Sequence, residues 1–162
     1  MLWNKGAFSI RYPRGTGVIS DWRCDFEQFE VGKGRMLREG GDIAVITLGH
    51  PGNFAVEALD KLEAEGHKIT HIDLRFVKPL DGEILKKVAS KATKILTVED
   101  GCLDGGAGSA VLEWLADNNF NHIEVKRLGI PDRYVEHGTQ AELYDECGYD
   151  AKAIEASLRA WL

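Results

Sequence analysis

From Asp42 onward the sequence repeats one unit, a short β-rich apolar run followed by a helical pattern. Ile43 to Gly49 reads IAVITLG. PGNFAVEALDKLEAEG follows it, sets Phe54, Ala55, Ala58, Leu59 and Leu62 on one helical face and stops at Gly66. ITHIDL, Ile69 to Leu74, precedes a second helix that Asp81 can cap, with Ile84, Leu85 and Val88 turned inward. KILTVED, Lys94 to Asp100, precedes a third from about Gly106 to Asp117, and HIEVKRL, His122 to Leu128, supplies a fourth strand. Strands this continuously apolar are covered on both faces, and intervening helices are the crossovers that parallel strands require. The pattern predicts an α/β fold, a three-layer α/β/α sandwich around a mostly parallel sheet.

The flanks complete that body. Thr139 and Glu142 have the spacing of a capping box, in which each side chain satisfies a backbone N–H of the first turn. Asp150 can cap a last helix that sets Ile154, Leu158 and Trp161 on one side. Before Asp42, Val31 to Leu37 reads as an edge strand closed by a glycine turn, which brings the sheet to five strands. FSIRY looks like an extended segment arriving from elsewhere, and Gly15 to Glu30 is aromatic and acidic without a period. The expected division is therefore residues 1–30 as the end of a preceding domain and a linker, and 31–162 as the α/β body. The abrupt start gives the further expectation of a piece of a longer polypeptide.

Composition narrows the class. A chain of 162 residues with 44% hydrophobic and 28% charged residues suits one globular domain with its own core. No run approaches the roughly 18 apolar residues of a membrane span. No basic segment followed by an apolar stretch marks the N-terminus for export, so the cytoplasm is expected. A formal net charge of −6 argues against a nucleic-acid partner. Cys24, Cys102 and Cys147 are odd in number and widely spaced, and read as reduced thiols rather than a disulfide framework or a zinc site.

Four features could carry chemistry. VEDGCLDGGAGSAV, Val98 to Val111, is a strand, a glycine-rich loop and a helix start, an arrangement able to offer backbone N–H groups to a phosphate. Its spacing departs from the dinucleotide fingerprint, the Walker lysine is absent, and Glu99, Asp100 and Asp104 oppose an anion. A tight packing loop or subunit contact is favoured over a phosphate cradle. Glu99-Asp100-Gly101 with Asn118-Asn119 imitates the ends of a thiamine diphosphate signature at too short a gap, and the asparagines read as a helix terminus. His50, His67, His71, His122 and His137 show no metal spacing. Of these only His137, after a strand and before the capped helix, is kept, with a structural or interface role weighing above acid–base chemistry. Finally, RYPRG holds Arg14 between Pro13, which stiffens the backbone, and Gly15, which permits close approach. A guanidinium fork suits carboxylate or phosphate oxygens, and an ion pair with a nearby acid remains the alternative.

Taken together, RYPRG (Arg11 to Gly15), VGKGRML (Val31 to Leu37), DLRFVKPLD (Asp73 to Asp81), TVEDG with GGAGSAV (Thr97 to Val111) and GIPDRYVEHGTQ (Gly129 to Gln140) resemble, in this order, the C-terminal portion of the 1-deoxy-D-xylulose-5-phosphate synthases. RFVKPLD alone is shared with other transketolase-like enzymes; RYPRG joined to GIPDRYVEHG is more specific. The resemblance implies a mixed five-stranded transketolase C-terminal-like domain of a homodimeric transferase that uses thiamine diphosphate and Mg²⁺. That transferase condenses pyruvate with glyceraldehyde 3-phosphate and releases carbon dioxide, feeding the non-mevalonate route to isoprenoids and also thiamine and pyridoxal synthesis. It also implies that the cofactor-binding residues lie in upstream domains of the same chain, so that this part binds no cofactor or metal and holds no catalytic residue. By the same resemblance Arg14 helps hold the phosphate of glyceraldehyde 3-phosphate, at a domain serving dimer contact and active-site closure; His137 is kept, from its position alone, as an active-site edge or interface residue. The alternatives are the C-terminal domain of a transketolase or of a 2-oxoacid dehydrogenase β subunit, or a free-standing flavodoxin-like module; YPRG followed by GIPDRYVEHG counts against the first two.

Overall fold

Ile43–Leu48 forms β2, and its alternating side chains divide the molecule into two layers of helices. Ile43 and Val45 point into one core with Ala55, Ala58 and Leu59 of α1 (Pro51–Ala64) and Ile154 and Leu158 of α5 (Ala151–Arg159). Ala44 and Ile46 point into the other, against Leu85 and Val88 of α2 (Gly82–Ala89) and Val111 and Leu115 of α3 (Ala107–Asp117). Because side chains on a strand alternate with period two, one apolar run builds both cores. The remaining elements are β1 (Arg35–Arg38), β3 (Thr70–Asp73), β4 (Lys94–Cys102), β5 (Glu124–Ile130) and α4 (Gln140–Cys147). The structure, a computed structural model, describes residues 27–162 and, before them, 12, 13, 15, 17, 18, 20, 21 and 23–25.

The five strands run in the order β1-β3-β2-β4-β5. β2 pairs in parallel with β3 and β4, and β4 with β5, whereas β1 is antiparallel to β3. The sheet is thus the mixed five-stranded one expected, with helices on both faces.

Two strands sit later than the sequence predicts. The edge strand begins at Arg35 rather than Val31, since the Gly34 amide donates to Asp81 Oδ2 at 2.9 Å instead of entering a ladder. Asp81 is 6% exposed, and its other oxygen accepts from the amides of Glu83 and Ile84, capping α2 as expected. The last strand runs from Glu124 to Ile130 rather than from His122 to Leu128. Ile123 closes a turn by donating its amide to the Phe120 carbonyl at 3.2 Å, and the ladder starts where Lys94 meets Glu124. At the C-terminus α5 ends at Arg159, and Trp161 packs on the core from beyond the helix.

Candidate functional site

The carboxyl ends of the parallel strands are where ligands of open α/β sheets bind. At the end of β4 adjacent acids part to opposite faces by the same period-two rule. Glu99 turns to the α3 side, is 4% exposed, and accepts hydrogen bonds from the amides of Ala107 (2.7 Å) and Gly108 (2.8 Å). The protein's own carboxylate therefore occupies the N-terminus of α3, where helix amides and dipole favour an anion. Around it Gly106 and Gly108 are packing requirements. A Cβ at Gly106 would overlap the Cys102 carbonyl oxygen and come within 2.7 Å of Glu99 Cδ. The Gly105 amide goes to Ser109 Oγ (3.1 Å), and Arg127 reaches both Ser109 Oγ (2.8 Å) and the Leu103 carbonyl. Three amides that a phosphate would need are thus spent on the protein's own side chains.

Asp100 turns the other way. Its Oδ1 accepts from the Tyr149 hydroxyl at 2.8 Å, and its Oδ2 lies 3.6 Å from His50 Nδ1. Burial, reinforced by the bond to the Asp100 carboxylate, pushes the Tyr149 phenol far up, so it stays protonated. The His50 ring also meets Phe54 (5.7 Å between centroids) and Tyr144 (5.2 Å), and Tyr144 meets Tyr149 (5.3 Å). Burial also raises the nearby Cys147 thiol, which keeps it in its unreactive form. Sequence reading set His50 aside. The usable signal was its place directly after β2, beside the end of β4.

The aromatic stack fastens α4. Thr139 and Glu142 form the expected capping box, with the Thr139 amide donating to Glu142 Oε2 at 2.8 Å. Arg133 straps the preceding loop to the helix end through Glu146 Oε1 (2.8 Å). Tyr134 in that loop is 100% exposed, and His137 is exposed two residues before the cap. Arg14 lies outside the described residues. Gly15 is described and stands against the start of α4: a Cβ there would overlap Gln140 Oε1 and sit 3.3 Å from Gln140 Cδ. Its φ of +139° is one that residues with a side chain rarely adopt. The structure thus brings the RYPRG glycine and the GIPDRYVEHGTQ glutamine together, a pairing that spacing did not reveal.

At the end of β3, Arg75 of RFVKPLD has φ +55°, supported by its amide's bond to Asp73 Oδ1 (3.1 Å). Its guanidinium lies 4.5 Å from the centre of the Phe29 ring, tying the segment before β1 to the end of β3. His71 is buried in the core, 3.0 Å from Thr47 Oγ1. Thr47 donates to the Ile72 carbonyl, so its oxygen accepts from His71 Nε2–H, which fixes the neutral tautomer. Asn118 and Asn119 end α3, Asn119 with φ +64°. Among the described residues no group of three or more His, Cys, Asp or Glu could hold a metal ion. A diphosphate has no cradle on the α3 loop, because Glu99 fills it. No helix among the described residues is long and apolar enough to cross a membrane.

Residues 32–154 match the family described as transketolase, C-terminal domain. The chain is 55% identical over 156 residues to the 1-deoxy-D-xylulose-5-phosphate synthase of Cytophaga hutchinsonii, covering 96% of this chain and 24% of that protein. With the protein of the same description from Bacteroides thetaiotaomicron it shares 52% identity over 158 residues, covering 97% and 24%. It spans about a quarter of the length of these curated relatives. Among solved structures, a split gene transketolase described as an inactive β4 tetramer superposes with TM-score 0.75 at 34% identity, covering 83% of this chain and 43% of that one. The transketolase of Campylobacter jejuni superposes with TM-score 0.56 at 12% identity over 80% of this chain and 18% of that one, a likeness of fold alone.

Proposed function

The chain belongs to the transketolase C-terminal domain family, and from that premise we propose that it serves as the C-terminal part of a 1-deoxy-D-xylulose-5-phosphate synthase. Such an enzyme joins pyruvate to glyceraldehyde 3-phosphate with loss of carbon dioxide, the entry to the non-mevalonate route to isoprenoids. The carrying observation is identity above half to two such synthases over nearly the whole chain.

In this reading residues 1–30 connect the upstream part of the polypeptide to the body at 31–162, and the enzyme is a cytoplasmic homodimer. Thiamine diphosphate with Mg²⁺ supplies the electron sink for decarboxylation and is held by the upstream domains. The expenditure of the α3 loop amides on Glu99 supports that division. The neighbour described as an inactive tetramer of β chains supports the same expectation, that this domain does not turn over alone.

Arg14 is the residue assigned to substrate. A guanidinium on a proline-stiffened turn can take two oxygens of the aldehyde's phosphate at once, supplying binding energy remote from the reacting carbons. His137 is assigned to the active-site edge or subunit interface, where its exposure leaves it available to a neighbouring domain. In the complete enzyme, Arg14→Ala should raise KM for glyceraldehyde 3-phosphate by about tenfold or more, the loss of a charge-assisted bidentate contact, and leave KM for pyruvate near wild type. An unchanged KM for the phosphorylated aldehyde would leave Arg14 an ion-pair residue.

A further inference from the structure

Residues 27–34 form no strand or helix of their own, yet they are fastened to the stretch that runs from β3 into α2. The Arg75 guanidinium stands 4.5 Å from the centre of the Phe29 ring. Lys33 Nζ pairs with Glu83 and lies 3.9 Å from Asp81 Oδ1. The Gly34 amide donates to Asp81 Oδ2 at 2.9 Å. This last contact is the costly one to lose. Asp81 is 6% exposed and its other oxygen already serves the Glu83 and Ile84 amides, so the departure of Gly34 would strip a buried carboxylate of a donor. On the other side, Arg75 reaches Phe29 from a left-handed backbone, φ +55°, braced by its amide's bond to Asp73 Oδ1 at 3.1 Å. Such a backbone is unfavourable for a residue with a side chain, and persists where the structure around it holds that side chain in place.

We propose that the stretch 73–83 is a clip for residues 27–34, whose contacts open and close as one unit and set the direction from which the chain enters the body. Lys33 and Gly34 are neighbours that meet the same carboxylate, and the Lys33 amide donates to the Glu30 carbonyl at 3.3 Å, closing a turn that joins them to the residue after Phe29. A pull at Phe29 is therefore felt at Gly34. The Lys33–Glu83 pair is exposed and adds little alone, so the weight falls on the contacts that flank it, the ring at Phe29 and the buried carboxylate at Asp81. The clip has a further role that rests on the reading of residues 1–30 as a connection to an upstream part: it keeps that part and the body in register. Lost register disturbs the assembled geometry rather than the grip on one substrate, so its effect belongs on turnover.

The test is hydrogen–deuterium exchange in the complete gene product, read at the Gly34 amide, for the wild type, Arg75→Met and Phe29→Ala, together with the steady-state kinetics of each. Arg75→Met keeps a long side chain and removes the charge over the ring. Either substitution should speed exchange at Gly34 by about 3- to 30-fold although neither touches that amide, with the rest of the body exchanging as in the wild type. Each should also lower kcat by about threefold or more, with KM for pyruvate and for glyceraldehyde 3-phosphate within about twofold of wild type. Unchanged exchange at Gly34 in both variants overturns the clip. Faster exchange spread over both cores overturns it as well, because it reports a general loss of stability. Faster exchange confined to residues 27–34 and 73–83 with unaltered kcat supports the clip and overturns its registering role. A wild-type product that forms no 1-deoxy-D-xylulose 5-phosphate removes the proposed activity, and the exchange at Gly34 still decides the clip.

Discussion

Single side chains in this molecule owe their roles to which face of a strand they occupy. His71 shows the consequence for pH. Its pKa falls from 6.5 to about 4, chiefly because burial disfavours the imidazolium and secondarily because Arg38 and Arg35 lie near. As pH drops through 6.5 the unfolded imidazole takes a proton while the folded one does not until about 4. Stability is therefore lost across that window as pH falls. The distance between the two values corresponds to roughly 3 kcal/mol by pH 4. Urea unfolding at pH 7 and pH 4.5 should show a clearly smaller loss in His71→Gln than in the wild-type chain; equal losses would mean that His71 does not titrate as described. Neither this histidine nor the pairing of Gly15 with Gln140 was legible beforehand. Each depends on a partner distant in the sequence and brought near only by the fold, whereas the caps Asp81, Thr139 and Asp150 find their partners within three residues and could be read directly.

At the scale of elements, helix starts decide more than helix lengths. The α3 start is built around a buried internal anion, and Gly106 and Gly108 leave room for it where a side chain would not. Glu99→Gln would turn one acceptor into a donor facing an amide, and should cost about 1–3 kcal/mol of stability by urea unfolding at pH 7. A change below about 0.5 kcal/mol would show that one oxygen suffices. The sequence reading weighed a packing loop or subunit contact above a phosphate cradle because of the three acids nearby; in the structure Glu99 takes the helix amides that such a cradle would use. What it lacked was the direction of each acid. The strand periods of β2, β3 and β4 were legible because both faces are apolar. β5 and β1 lie at the edges, where one face meets solvent and the alternation carries less information, and there the boundaries slid. In β1 the slide has a specific cause, the diversion of the Gly34 amide to Asp81.

The whole molecule is a body with two well-filled cores whose carboxyl edge is largely closed by its own residues. Glu99 seals one side of β4, and the His50–Asp100–Tyr149 contacts seal the other. What stays open is the rim, where Tyr134 and His137 are exposed and Gly15 meets α4. The overall architecture was legible from the alternation of runs alone; the rim was not, since nothing local in a loop says what it faces. One comparison tests the central claim most directly: thiamine diphosphate binding and pyruvate consumption, with Mg²⁺ and glyceraldehyde 3-phosphate present, by residues 1–162 alone and by the complete gene product. The account predicts binding and formation of 1-deoxy-D-xylulose 5-phosphate by the complete product and neither by the isolated chain. Turnover by the isolated chain, or a complete product that binds no thiamine diphosphate, would contradict it.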